Sequence, residues 1–299
     1  MAHPYSKPYV SIIALFALSA CSGGGTSNTG PEAFTSVADL PENGTVTFSG
    51  KSVTADFIAS LDTGEVALTS VNSDADGALS IDLNNRLITA AHISGNGADT
   101  SFDTANGDSV VANSGLIGIT SAAGDSIAVF IDPTTSTLDH STFGFWMDGY
   151  PRGGHASNAN VTGTLGVGSY GVTTAASNMP TSGSATYVGS SIGFAKSSDG
   201  DPYVTASDIT MTTSDFSTMT INSSNTYGTS LITGDRAMPE LNFSGTGSIN
   251  GSGFDASVTA TAASGAVNGQ FYGPGAREIG GTFELSGPNT DYIGAFGAK

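Results

Sequence analysis

The side chains best suited to bind a ligand in this sequence lie around His155. Met147 and Tyr150 precede it by a few residues, and Arg152 lies between Tyr150 and His155. Imidazole nitrogen, thioether sulphur and phenolate oxygen serve as axial ligands of haem iron, and a guanidinium can pair with a carboxylate such as a haem propionate. Met147, Tyr150 and His155 therefore form a candidate haem site, with a solvated loop as the alternative. No cofactor is required, and haem would be a ligand.

A second candidate site, for calcium, begins at Asn72. Asn72, Asp74 and Asp76 place oxygen ligands at alternate positions and Gly77 follows, as in the first half of an EF-hand loop. The twelfth position, where that loop carries a bidentate Glu, is Leu83. The segment is therefore a weak calcium candidate, and a β-turn is the alternative.

Two short patterns resemble catalytic motifs without their context. Gly189–Gly193 fits G-x-S-x-G, but a nucleophile elbow needs a strand-to-helix turn and a later histidine, and no histidine follows His155. Gly166–Gly171 fits G-x-G-x-x-G without a surrounding βαβ unit, and we interpret it as a loop. The sequence therefore predicts a protein that is not an enzyme.

The only cysteine ends an apolar N-terminal run. Lys7 precedes Val10–Leu18, which is too short to cross a bilayer, and small residues lead up to Cys21. The arrangement resembles the lipobox of bacterial lipoproteins. In such proteins an acidic residue after the cysteine favours retention in the inner membrane, so Ser22 at this position implies the outer membrane. The resemblance implies a signal peptide over residues 1–20 and a fatty-acylated (palmitate-bearing) Cys21. An ordinary secretory signal is the alternative.

The composition excludes two classes of protein. The 299 residues include 41 glycines, charged residues make up 11%, and the formal net charge is −18. A long helical or coiled-coil protein is rich in charged, helix-forming residues, whereas nucleic acid and anionic membrane surfaces need a cationic face. We therefore expect neither a coiled coil nor a nucleic-acid partner.

The periodicity beyond the N-terminus is that of β-strands. Short runs such as 44–50 and 125–131 alternate apolar and polar residues, and eight Asn-Gly or Asp-Gly pairs lie along the chain. Both dipeptides tolerate the positive φ that two-residue hairpin turns require. The sequence therefore predicts an all-β protein of locally connected antiparallel strands.

The second half contains enough strands to close a small barrel. We predict strands near 184–195 (split by a turn), 203–210, 215–222, 240–246, 253–261, 265–272, 279–285 and 291–296. Eight strands give a barrel whose interior side chains can fill. We expect a tether over residues 21–43, an N-terminal β subdomain over 44–150, a junction leading into the barrel over 151–182, and the C-terminal eight-stranded antiparallel barrel over 183–299.

The last thirty residues carry a specific motif. Gly269–Glu284 reads G-x-FYGP-x-A-x-E-x-GG-x-F-E, and the chain ends in GAFGAK; upstream lie LDHSTFGFW (138–146) and MPTSGSATYVG (179–189). These segments resemble the β-barrel family of transferrin-binding protein B. The resemblance implies a surface lipoprotein with a small β handle followed by an eight-stranded barrel.

The glycines and aromatic residues of this motif have a structural interpretation. Phe271, Phe283 and Phe296 alternate with glycines, so large rings could fill the barrel while the glycines let strands approach closely. Glu278 is expected to make a structural hydrogen bond or a contact at the rim. On this interpretation the motif closes the barrel and contains no active site.

The resemblance also sets the expected function. Transferrin binders have two lobes, whereas the 279 residues from Cys21 onward accommodate one, so transferrin does not carry over as a ligand. Single-lobed relatives bind haem, haemoglobin or a complement regulator. We expect a non-enzymatic binding module on the outside of the outer membrane, for haem, iron or a host or environmental protein, with an outer-membrane receptor or export barrel as a candidate partner. A structural or adhesive envelope protein is the alternative.

Overall fold

The computed structural model describes residues 36–60, 66–95, 97–149, 160–196, 200–230 and 233–299, without the side chains of residues 74, 98 and 160. The described residues form two antiparallel sheets. They also form four short 3₁₀ helices: Val37–Asp39, Thr104–Asn106, Ala176–Asn178 and Pro239–Leu241. No helix in these ranges combines the length and the apolar character needed to span a bilayer.

The first sheet has nine strands. They are β1 (Asn43–Ser60), β2 (Val66–Asn84), β3 (Leu87–Gly95), β4 (Ala98–Asp103), β5 (Ser109–Asn113), β6 (Leu116–Thr120), β7 (Ser126–Ile131), β8 (Ser141–Asp148) and β9 (Asn160–Gly171). Their spatial order is β4-β3-β2-β1-β9-β8-β7-β6-β5. The two edge strands follow each other in the chain, so the sheet curls until it is nearly closed.

The second sheet is a closed barrel. Its strands are β10 (Ala185–Lys196), β11 (Pro202–Thr213), β12 (Thr218–Ser230), β13 (Gly234–Ala237), β14 (Phe243–Asn250), β15 (Gly253–Ala260), β16 (Ser264–Tyr272), β17 (Glu278–Gly287) and β18 (Thr290–Ala298). Strand β11 pairs with both β10 and β12, which closes a ring of eight, and β13 pairs only with β12. The predicted all-β fold with an eight-stranded antiparallel barrel is confirmed.

The two sheets form one compact unit with three apolar clusters. The curled first sheet encloses one cluster around Trp146 and Phe130, and the barrel encloses another around Phe271 and Phe283. The third lies between the sheets, where the Phe145 and Phe194 rings meet edge-on with centroids 4.7 Å apart. Burial of these apolar surfaces is the main stabilising contribution to the fold.

The eight predicted barrel strands each overlap one observed strand, and β13 alone was missed. The turn predicted within 184–195 is wrong, because β10 pairs with β11 without a break from Ala185 to Lys196. Phe271, Phe283 and Phe296 are fully buried in the barrel core, as predicted. The division into domains stays a prediction, but the expected junction over 151–182 contains β9. Because β9 pairs with both β1 and β8, it is a central strand of the first sheet.

The interpretation of Gly166–Gly171 as a loop is wrong, because these residues form the second half of β9. A Cβ atom on Gly166 would lie 2.1 Å from the Trp146 ring, and one on Gly168 would lie 2.4 Å from the Tyr170 hydroxyl. The glycines are needed so that two large aromatic rings can lie flat on the strand. They serve packing and not a turn.

Candidate functional site

Glu278 of the closing motif joins the barrel to the first sheet. This first residue of β17 is fully buried, and its carboxylate accepts hydrogen bonds from residues that lead into β8. The donors are the backbone N–H groups of Asp139 and His140, the latter at 3.1 and 3.2 Å, and the Ser141 hydroxyl at 2.8 Å. A buried carboxylate is tolerated where several donors surround it. The expected structural hydrogen bond of Glu278 is confirmed.

An ion pair lies beside this contact. The Lys299 ammonium donates to the Asp139 carboxylate, and backbone hydrogen bonds in both directions tie Lys299 to Val188 on β10. The Lys299 ammonium holds the pKa of Asp139 below its usual range, although burial acts in the opposite direction. Because Asp139 is largely exposed, the pair contributes little by itself, and it anchors the end of β18 next to Glu278.

A second row of hydrogen bonds connects the end of β9 to β16. The Thr174 N–H donates to the Phe271 carbonyl, and the Gly273 N–H donates to the Val172 carbonyl, both at 2.8 Å. The Tyr272 hydroxyl donates to the Ser169 carbonyl at 2.9 Å. Residues of the F-Y-G-P segment therefore bind the first sheet through backbone groups as well as through Glu278.

Three tyrosines are fully enclosed by this packing, and we call them the enclosed tyrosines: Tyr170, Tyr272 and Tyr292. Burial raises the pKa of each hydroxyl above its usual value, because the phenolate would lose its hydration. Tyr272 is the best satisfied of the three, through its bond to Ser169. All three phenols therefore stay protonated in the folded protein at neutral pH.

Of the three candidate haem ligands, the structure describes only Met147. Met147 lies near the end of β8, paired with Ile127 on one side and Leu165 on the other, and its half-buried side chain packs on the cluster between the sheets. Tyr150 and His155 lie outside the described residues. The haem site therefore stays a prediction, and so does acylation of Cys21, which also lies outside them.

The candidate calcium segment is part of a strand. Asn72 and Asp76 both lie within β2, where Asp76 forms an ion pair with Lys51 at 3.0 Å. β2 is irregular between them, because Ala75 pairs with Ser52 whereas Asn72 pairs with Thr54, and the calcium site stays a prediction. The side chain of Asp74 lies outside the part of the chain that the structure describes. Among the described residues, no group of three or more His, Cys, Asp or Glu side chains is placed to hold a metal ion.

The serine of the G-x-S-x-G pattern is buried in the middle of a strand. Ser191 lies in the middle of β10, is buried, and its hydroxyl is 2.6 Å from that of Ser207 on β11. The chain continues as strand on both sides, so the backbone does not form a nucleophile elbow.

The described surface offers polar depressions as candidate ligand contacts. One of about 560 Å³ lies on the outer wall of the barrel, lined by hydroxyls that include Thr220, Thr246 and Ser257, with Asp255 beside them. Another of about 400 Å³ lies where Asp76 and Gly95 of the first sheet approach Gln270 of the barrel. Such linings donate and accept hydrogen bonds without a strong charge. Sequence periodicity gave no signal for either, because each combines strands distant in the chain.

Comparison with known proteins links the barrel to one family. Residues 179–299 match the family model that describes the C-lobe and N-lobe β-barrels of Tf-binding protein B. The resemblance read from the closing motif is thereby confirmed. No curated protein sequence matches the chain.

Solved structures with a similar fold include lobes of transferrin- and lactoferrin-binding proteins. A double mutant of transferrin-binding protein B from Haemophilus parasuis has 14% identity and a TM-score of 0.44, over 85% of this chain and 76% of that chain. A mutant from Actinobacillus pleuropneumoniae has 14% identity and a TM-score of 0.43, over 84% and 99%. The N-lobe of lactoferrin-binding protein B from Moraxella bovis has 11% identity and a TM-score of 0.38, over 83% and 99%.

Proposed function

Because residues 179–299 match the family model of the Tf-binding protein B β-barrels, we propose that this chain is a non-enzymatic binding module displayed on the outer membrane. The family match carries the proposal, since that family model describes the barrels of a binding protein. In this proposal the acylated Cys21 holds the protein to the membrane, and the residues that follow give the two sheets reach from the lipid surface.

Glu278 and the three residues that donate hydrogen bonds to it, Asp139, His140 and Ser141, form a contact between the sheets that we call the joint. This joint supports a binding role. Hydrogen bonds accepted by Glu278 and donated by Tyr272 and Gly273 fix the curled sheet against the barrel, so both can present loops to one ligand as a rigid pair. A rigid surface loses less conformational entropy when it binds than a mobile one. Ligand contacts would then lie in loops and in the polar depressions, while the closing motif maintains the scaffold.

Haem is the ligand with named candidate residues, so it is tested first. Purified protein is titrated with haem, and a shift of the Soret band is expected that is lost in His155→Ala. The matched control is His92→Ala, because His92 is exposed on β3 and paired with Asp99, and it should keep the shift. Absence of a shift in the unsubstituted protein would remove haem and leave capture of a protein ligand, or an adhesive role without a small ligand.

Protein capture is tested separately on cells. Cells that display the protein are incubated with labelled haemoglobin or with labelled transferrin, and bound label is compared with cells lacking the protein. Retention of either label supports a capture role. Absence of any retained label, together with absence of a Soret shift, would favour a structural or adhesive envelope protein.

A further inference from the structure

One half of the barrel interior is lined by hydroxyl groups. Side chains that point inward from β10, β11, β12 and β18 are polar there, although their neighbours in the same strands are apolar. They are all buried: Ser191, Thr205, Ser207, Ser223, Thr226 and Tyr292. The other half of the interior is filled by aromatic rings such as Phe254 and Phe271, whose centroids are 5.8 Å apart.

A β-bulge in β12 gathers these hydroxyls. Ala206 pairs with Tyr227 and Asp208 pairs with Ser224, so Ser207 faces two residues of β12 instead of one. Asn225, in the bulge, has a φ of 53°. The extra residue turns Thr226 into the barrel as well as Ser223, three positions earlier.

Protein groups satisfy only part of this cluster. Ser207 lies 2.6 Å from the Ser191 hydroxyl and accepts from Ser223 at 3.1 Å. The Tyr292 hydroxyl lies near the hydroxyls of Thr205, Thr226, Ser191 and Ser207. The oxygens of Tyr292, Thr205 and Thr226 are nevertheless inaccessible to solvent and make no hydrogen bond of acceptable geometry to a protein group. Buried hydroxyls almost always have a partner, and in protein interiors the missing partner is commonly an ordered water.

Thr205 lies opposite a glycine on each neighbouring strand. These are Gly193 on β10 and Gly228 on β12, so neither neighbour places a side chain over Thr205. The Met238 sulphur lies 2.3 Å from the position of a Cβ atom on Gly228. A Cβ atom on Gly193 would lie 2.5 Å from the Ile293 carbonyl oxygen and 3.1 Å from the Thr205 hydroxyl.

We infer that this part of the barrel is an internal water-binding site, in which a buried water molecule bridges Tyr292, Thr205 and Thr226. Three protein partners are the usual number for such a water. The three groups are neutral hydroxyls, which suits an uncharged ligand that both donates and accepts hydrogen bonds. A water molecule at this site would satisfy the polar side chains that lie in the barrel interior next to the β-bulge of β12.

A high-resolution crystal structure of the protein tests this directly. A density peak within about 3 Å of all three oxygens is expected. Direct pairing of the three hydroxyls with one another or with carbonyl groups, without such a peak, would overturn the inference.

Internal water can also be counted in solution by ¹⁷O magnetic relaxation dispersion. The variant Tyr292→Phe/Thr205→Val removes two of the three partners with little change in volume, and we expect it to lose one long-lived water. Tyr187→Phe is the matched control, because the buried Tyr187 hydroxyl already donates to the Ala276 carbonyl at 2.7 Å. An equal water count in the folded double variant would contradict the site. If the double variant does not fold, the crystal structure decides.

Discussion

Removal of the Glu278 carboxylate should uncouple the two sheets. In Glu278→Ala the N–H groups of Asp139 and His140 lose their acceptor, and they cannot rotate toward another one. A buried donor without a partner costs about 1–3 kcal/mol, so two such donors predict a loss of about 2–6 kcal/mol of unfolding free energy. Glu278→Gln keeps one oxygen but replaces charge-assisted hydrogen bonds with neutral ones, which predicts a loss of about 1–2 kcal/mol.

Urea unfolding with two probes measures both the loss and the uncoupling. Trp146 is the only tryptophan and is fully buried in the first sheet, so its fluorescence reports on that sheet. Far-UV circular dichroism reports on both sheets. We expect coincident transitions in the unsubstituted protein, and in Glu278→Ala a fluorescence midpoint below that of the dichroism transition.

The matched control lies on the same strand. Glu284 is half-buried on β17, and its side chain makes no hydrogen bond or ion pair within the described part of the chain, so Glu284→Ala should change the unfolding free energy by less than about 0.5 kcal/mol. Equal losses in the two alanine variants would refute the assignment of Glu278 as a joint. A loss specific to Glu278 with transitions that still coincide would refute the uncoupling.

Three further predictions concern other parts of the molecule. The enclosed tyrosines have higher pKa values in the folded than in the unfolded protein. Their contribution to the unfolding free energy is therefore present below about pH 10 and falls above it by about 1.4 kcal/mol per pH unit for each tyrosine. Alkaline unfolding should coincide with the appearance of their phenolate absorbance at 295 nm, and phenolate formation by all of the tyrosines before unfolding would contradict this. Gly166→Ala should destabilise the protein by about 1–3 kcal/mol or more, because its methyl group would overlap the Trp146 ring. Gly118→Ala, whose nearest neighbour atom would lie at 3.8 Å, should stay within about 1 kcal/mol of the unsubstituted protein in the same denaturation assay. Calcium should leave the melting temperature unchanged to within error, because Asp76 is already paired with Lys51, and a rise with added calcium would support the predicted site.

The sequence predicted the barrel well because its signals are local. Alternating apolar residues marked each of the eight strands, and Asn250-Gly251 forms the β14–β15 turn with Gly251 at a φ of 60°. Three of the eight turn dipeptides were misleading, since Asn43-Gly44, Asp76-Gly77 and Asn268-Gly269 lie within strands. A Cβ atom on Gly269 would lie 2.2 Å from the Phe254 ring, so packing and not a turn requires that glycine.

The joint was only half predictable. The closing motif identified Glu278 as a structural residue, but its donors lie at Asp139 and His140, more than 130 residues earlier. Backbone N–H groups carry no side-chain signature, so no pattern of residue types could pair the two segments. The place of β9 in the first sheet was hidden for a similar reason, because its glycines resemble loop residues until Trp146 and Tyr170 are seen packed against them.

Protease treatment of intact cells is the most direct test of the proposed display on the outer membrane. Cells producing the unsubstituted protein are compared with cells producing Cys21→Ser, and a periplasmic protein serves as the marker of membrane integrity. We predict that protease removes the unsubstituted protein from cells whose periplasmic marker stays intact, and that Cys21→Ser is lost from the membrane fraction. An unsubstituted protein that stays protected until the outer membrane is opened would contradict the proposal.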